Sequence, residues 1–165
     1  MLPSTVLISC LYDSPPVPVP ADAPAWFREI DHTGDIGIQV TAPTLPQLFE
    51  RAATGMFRVL TDLEAVQSPE STQITVDGRD LEALMVRWLS DLNYRHTVDH
   101  VLYGAFDVAS ITTTDDSLTL TATAHGESID PDRHTVYTEI KAITFHGMEI
   151  RETGEGWAVQ VIFDM

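Results

Sequence analysis

Apolar residues recur at two different spacings along this chain, and the switches between them mark the elements. Two short extended runs come first, residues 26–30 (WFREI) and 36–40 (IGIQV), on either side of the turn-like segment His32-Thr33-Gly34-Asp35. Leu45, Leu48, Phe49, Ala52, Ala53, Met56 and Leu60 then recur every three or four residues, the single buried stripe of a helix. Thr44 supplies a capping oxygen and Pro46 falls in the first turn, where its missing N–H does no harm. Residues 73–77 (QITVD) alternate like a strand, and Asp77-Gly78 turns the chain. Asp80 can cap a second helix, with Leu81, Leu84, Met85, Trp88, Leu89 and Leu92 as its apolar face. Residues 101–110 and 117–124 read as a hairpin, with Leu118, Leu120, Ala122 and Ala124 on one face and threonines on the other. Residues 126–134 (GESIDPDRH) read as a loop and 136–145 as a strand. The segment from His146 to Glu152 reads as a separate short strand. Residues 156–165 form the last strand, with Trp157, Val159, Val161 and Phe163 sharing a face.

This order predicts an α+β fold with antiparallel sheets and two main helices. It divides into two strand–helix–strand–strand units, the second (about 73–125) inserted in the first, within one domain spanning 25–165. The first 24 residues stand apart. Five of the ten prolines fall within 13–24 (DSPPVPVPADAP), which reads as a polyproline-like, disordered extension. No Lys or Arg precedes Arg28, so the charged start of a secretory signal is missing, and no apolar run approaches the ~18 residues of a membrane span. A cytoplasmic location is expected. Cys10 is the sole cysteine, which excludes an internal disulfide and a cysteine zinc cluster.

Charge narrows the function. Acids number 25 against 9 bases, a net charge of −16, and Lys141 is the only lysine. Direct nucleic-acid binding rests on Lys and Arg neutralising phosphates, and no basic run exists here, so direct binding to nucleic acid is not expected. Such an acidic, lysine-poor surface suits a salty interior that screens its self-repulsion.

Three clusters could carry chemistry. In His32-Thr33-Gly34-Asp35-Ile36-Gly37, Asp35 offers a hard oxygen donor between two glycines. Asp164 carries a side-chain carboxylate one residue before the terminal one at Met165; two such anions repel unless a cation or solvent lies between them. The residues before Asp164 are strand-like, so this end is expected to be held. Strand alternation would set Tyr137, Glu139 and Lys141 on one face, with His146 close behind. Hard oxygens suit Ca²⁺, Mg²⁺ or Mn²⁺. His96 and His100 have helical zinc spacing but are expected beyond the helix end, and no H-E-x-x-H motif accompanies them. There is no G-x-S-x-G elbow and no glycine-rich phosphate loop, so a stand-alone enzyme is not expected.

Taken together, HTGDIG (32–37), AATGMFRVLTDL (52–63), DLEALMVRWLSDLNY (80–94), GESIDPDRH (126–134), TEIKAITFHGMEI (138–150) and GWAVQVIFDM (156–165) resemble the archease family in order and spacing. The resemblance covers Trp26 to Met165. It implies the nested two-unit fold and a protein cofactor that is not itself an enzyme. That cofactor activates an RtcB-type tRNA-splicing RNA ligase, promoting its guanylylation and multiple turnover. An alternative role in the family is as chaperone or modulator of a tRNA cytosine methyltransferase. The resemblance also implies a divalent metal, Ca²⁺ in crystals with Mn²⁺ or Mg²⁺ as alternatives, held by Asp35, Asp164 and Met165. It maps the family's motif lysine onto Lys141; His32, Lys141 and His146 are the residues expected to meet a partner or phosphate. Gly34 stands where the family usually has alanine, and Met165 where it usually has an aliphatic residue.

Overall fold

The structure of the protein, a computed structural model, describes residues 23–165. The proline-rich extension, as far as Asp22, and Cys10 lie outside the described residues. Among the described residues the elements run β1 (Phe27–His32), β2 (Asp35–Ala42), α1 (Leu45–Leu60), β3 (Glu70–Gly78), α2 (Leu81–Asp99), β4 (Val101–Thr113), β5 (Leu118–Ser128), β6 (Ala142–Thr153) and β7 (Gly156–Asp164), with a 3-10 turn at Leu63–Ala65. One antiparallel sheet has the order β1-β2-β7-β6 and the other β3-β5-β4. The fold is α+β. The unit β3-α2-β4-β5 has a sheet of its own and lies in the chain between α1 and β6.

β1 and β2 are joined by a two-residue turn, Thr33-Gly34, with φ of 36° and 85°. Positive φ at both central positions matches a hairpin turn to the right-handed twist of its strands. α1 begins as the sequence predicts: Thr44 Oγ1 accepts from the Gln47 N–H at 3.4 Å, with proline in the first turn. Its buried surface is wider than the predicted stripe, because Gly55, Phe57 and Val59 are buried as well. The cause is a second sheet. α1 packs on β2 and also on β4, and α2 packs on β3 and β6, so each helix touches both sheets and one continuous core results. Trp88 ties the helices together, donating its indole N–H to the Phe49 carbonyl at 3.0 Å.

Several boundaries differ from the sequence reading. α2 does not stop before His96; it continues to Asp99 and ends on His100 at φ 55°. Burial of Leu92, Asn93 and His96 outweighs the weak helix preference of Thr97 and Val98. β5 runs through Ser128, so the first residues of the expected loop are strand. Gly126 permits this, since a Cβ there would overlap the Leu102 carbonyl on the neighbouring strand. The strand expected from residue 136 begins only at Ala142, because the preceding segment bonds elsewhere. The Tyr137 N–H donates to Leu60 O at 2.8 Å, and Asn93 Nδ2 donates to Ile140 O at 2.8 Å. From Ala142 the chain stays in one strand rather than two, interrupted by a wide bulge. Between paired rungs β7 advances from Ile162 to Gln160 while β6 advances from Thr144 to Glu149.

Candidate functional site

The two helices cover the inner face of the four-stranded sheet, where Ile38, Val40, Val159, Val161 and Phe163 are buried. Strand alternation therefore sends Asp35, Gln39, Gln160 and Asp164 to the outer face. Ile36 pairs with Phe163 at the last recorded rung of β2 and β7, so Asp35 and Asp164 occupy the next positions of the two adjacent strands. The end of β7 is held, as its sequence predicts: the Asp164 carbonyl accepts the Lys141 N–H at 2.8 Å, and the Met165 side chain packs against the core. Thus Asp35, Asp164, Met165 and Lys141 meet at one end of one sheet.

The histidines join them through the bulge. His146 projects from it, and its ring lies edge-on to His32, 5.5 Å between centroids. These residues belong to opposite edge strands, β6 and β1, so the bulged segment arches over the outer face to close the gap. His32 Nδ1 is buried without a hydrogen-bond partner among the described residues. Tyr137, Glu139 and Lys141 are all exposed and Ile140 is buried, but this segment is not a strand, so the strand face expected for the three is not formed. Among the described residues neither Glu139 nor Lys141 has an ion-pair partner within 4.0 Å.

As a cation site, the donor set is hard: two carboxylates from adjacent strands and main-chain oxygen at Met165. Among the described residues no three His, Cys, Asp or Glu side chains cluster as a metal would require. Any ion here would depend on the Met165 main chain, water or a partner to complete its shell, and the donor chemistry fits Ca²⁺, Mg²⁺ or Mn²⁺ on those terms. Zinc at His96 and His100 does not fit. His96 is buried, donates Nδ1–H to Val101 O at 3.0 Å and sits edge-on to Phe57, while His100 caps the helix.

A second polar cluster went unseen in the sequence. The Glu127 carboxylate accepts both terminal nitrogens of Arg133 at 3.0 and 2.8 Å, the Gln67 N–H at 2.8 Å, and His134 Nε2 at 2.9 Å. Bonds from Arg133 and then from the Gln67 amide hold its pKa down to about 2. His134 is locked as one neutral tautomer, because its Nδ1 accepts the Asp130 N–H at 2.8 Å and its Nε2–H must donate to Glu127. All of these donors are in use, so the cluster anchors rather than reacts. It ties 129–136 back to the segment after α1, and so sets the path of the chain toward Lys141. Its only signal was an acid followed six and seven residues later by Arg and His in an apparent loop.

The chain and its fold have known counterparts. A model of the archease protein family (MTH1598/TM1083) matches residues 27–165. Protein archease of Methanopyrus kandleri is 34% identical over 139 residues, covering 84% of this chain and 99% of its own length. Protein archease of Pyrococcus furiosus is 35% identical over 140 residues, covering 84% and 98%. The solution structure of protein 1598 of Methanobacterium thermoautotrophicum gives a TM-score of 0.72 at 34% identity, covering 85% of this chain and 99% of that one. The crystal structure of an archease from Thermotoga maritima, described as a possible chaperone, gives 0.50 at 19% identity, covering 82% and 94%, which supports the fold alone.

Proposed function

Because the chain belongs to the archease family, we propose that it is a metal-binding protein cofactor of an RtcB-type RNA ligase, acting in tRNA processing and RNA repair by promoting guanylylation and multiple turnover of that enzyme. The observation that supports this most is the convergence of Asp35, Asp164, Met165 and Lys141 at one sheet end. Asp35, Asp164 and the Met165 main chain would hold a divalent ion. When bound, the ion supplies positive charge that offsets charge developing on nucleotide phosphates.

The chain's own residues do the rest. The Lys141–Asp164 main-chain bond and the packing of Met165 fix where the acidic pair stands. Lys141, exposed and with no ion-pair partner among the described residues, is free to meet a phosphate or an acidic group of the ligase. The His32–His146 contact links the bulge of β6 to the hairpin that carries Asp35, and so steadies the rim of the site. A surface of −16 avoids RNA and leaves that contact to the enzyme.

The test is a guanylylation assay with the cognate ligase, GTP, divalent metal and catalytic amounts of this protein. Wild type accelerates nucleotide transfer, and Asp35→Ala and Asp164→Ala fail to do so while folded. If wild type gives no acceleration at any salt or metal concentration, this reading is wrong. Asp35→Ala still keeping a tRNA methyltransferase soluble would then favour the chaperone role.

A further inference from the structure

The outer face of the four-stranded sheet holds a second concave region, about four residues from the carboxylate end, or ~14 Å along the strands. It is a cleft of about 300 Å³. Paired rungs give its floor. Gln39 of β2 stands beside Gln160 of β7, and Thr41 beside Ala158, so the floor carries short or amide side chains. The Gln39 amide donates to Gln160 Oε1 at 3.0 Å, and the Gln160 amide donates to the Gly147 carbonyl at 3.3 Å, which ties the floor to the β6 bulge.

The walls are basic. Arg28 rises from β1 and Arg151 from β6, the two edge strands, and both line the cleft. Beside them Trp26 lies under Arg51, whose guanidinium stands 5.2 Å from the ring centre and donates to Thr41 O at 2.8 Å. Two of the nine bases of a chain with 25 acids thus line one cleft, and a third, Arg51, stands next to it on Trp26. Acids are plentiful, and Arg79, Arg95 and Arg133 each have a carboxylate within 4.0 Å; Arg28 and Arg151 have none among the described residues. Glu149 is the single acid in the lining.

We propose that this cleft binds a compact phosphate-bearing anion, a free diphosphate or the diphosphate of a nucleotide. Guanidinium groups on opposite walls bind phosphate oxygens through paired, charge-assisted hydrogen bonds. The Thr41 hydroxyl on the floor is a further donor. A compact anion suits the cleft better than a nucleic-acid strand. Distant acids are screened beyond a Debye length of ~8 Å at physiological salt, whereas a long polyanion would lie across them. The site does not depend on the ligase reading, because it uses none of the residues assigned to the carboxylate end.

Calorimetric titration of the full chain with sodium pyrophosphate, in chelated buffer at about 0.1 M salt, tests this. Pyrophosphate is expected to bind. Arg28→Ala and Arg151→Ala each weaken binding about tenfold or more. Glu149→Gln tightens it by removing the opposing charge, and Arg87→Ala, exposed on α2, leaves it unchanged. Adenosine diphosphate binding more tightly than pyrophosphate identifies a nucleotide as the ligand, and equal binding identifies the phosphates alone; both uphold the site. No binding by wild type, equal loss in Arg87→Ala, or tighter binding of a single-stranded oligonucleotide than of pyrophosphate overturns it. Thermal melts of each variant confirm that it is folded.

Discussion

At the scale of single residues, the hairpin turn beside Asp35 is the clearest case of backbone chemistry setting a site. Gly34 sits at φ 85°, and a Cβ there would meet nothing within 4 Å, so alanine would suffer only backbone strain. Gly34→Ala should therefore lower stability by about 1 kcal/mol. Thr33, β-branched at φ 36°, already bears such strain, and Thr33→Asn should raise stability. Urea unfolding measures both; equal midpoints for all three proteins would contradict the turn geometry. Three shifted groups, Glu127, His96 and Glu29, shape the acid response. Glu127 is held at about 2 against an ordinary 4.5 by Arg133 and the Gln67 amide. Its contribution is complete above pH ~4.5 and disappears as pH falls through 2. Burial lowers the pKa of His96 below 6.5, so its unfolded form binds the proton first, and stability also falls as pH drops below that value. The Glu127 and His96 effects have the same sign. Glu29 works the other way, because burial and then Asp31 raise its pKa and the folded form binds the proton first. Below pH ~4.5 the loss of the Glu127 contribution remains, so urea midpoints should fall from pH ~4.5 to pH ~2, and Glu127→Gln should flatten that part of the curve. A curve for Glu127→Gln parallel to wild type below pH 4.5 would remove the role given to this cluster.

At the scale of elements, the sequence predicted what hydrophobic period and caps can encode. Thr44 and Asp80 cap the helices as expected, and the alternation of β7 places Asp164 at the strand end. What it hid are the places where tertiary bonds replace local pattern. His96 extends α2 because it is buried, not because of its neighbours' propensity. The bulge of β6 has no periodic signature, yet it carries His146 across the sheet to His32. Asp35 and Asp164 were legible as isolated donors; their adjacency depends on β2 pairing with β7, which residue spacing cannot reveal. Asn93 gives this scale its prediction. It is buried and supplies the donor to the Ile140 carbonyl, which positions the irregular segment before Lys141. Asn93→Ala should cost about 1–3 kcal/mol and increase amide hydrogen exchange in 137–141. Unchanged exchange there would mean that the segment is held by other contacts.

At the scale of the whole molecule, one core joins two sheets through two helices, and a charge of −16 surrounds it. Self-repulsion on that scale is screened by salt, so the melting temperature should rise between about 0.05 and 1 M KCl. A fall over that range would mean that paired charges outweigh the repulsion. No helix among the described residues is long and apolar enough to cross a membrane. The charge also makes the two ends of the outer face different in kind: acids gather where β2 and β7 meet at Asp35 and Asp164, and arginines gather at the far cleft. The proposed function rests on the acidic end. Its most direct test is calorimetric titration of Ca²⁺, and then Mn²⁺, into metal-free protein, with Asp35→Ala and Asp164→Ala beside wild type. Wild type is expected to bind at one site, weakened about tenfold or more by each substitution. Absence of binding in wild type, or affinity unchanged in both variants, would contradict the proposed function.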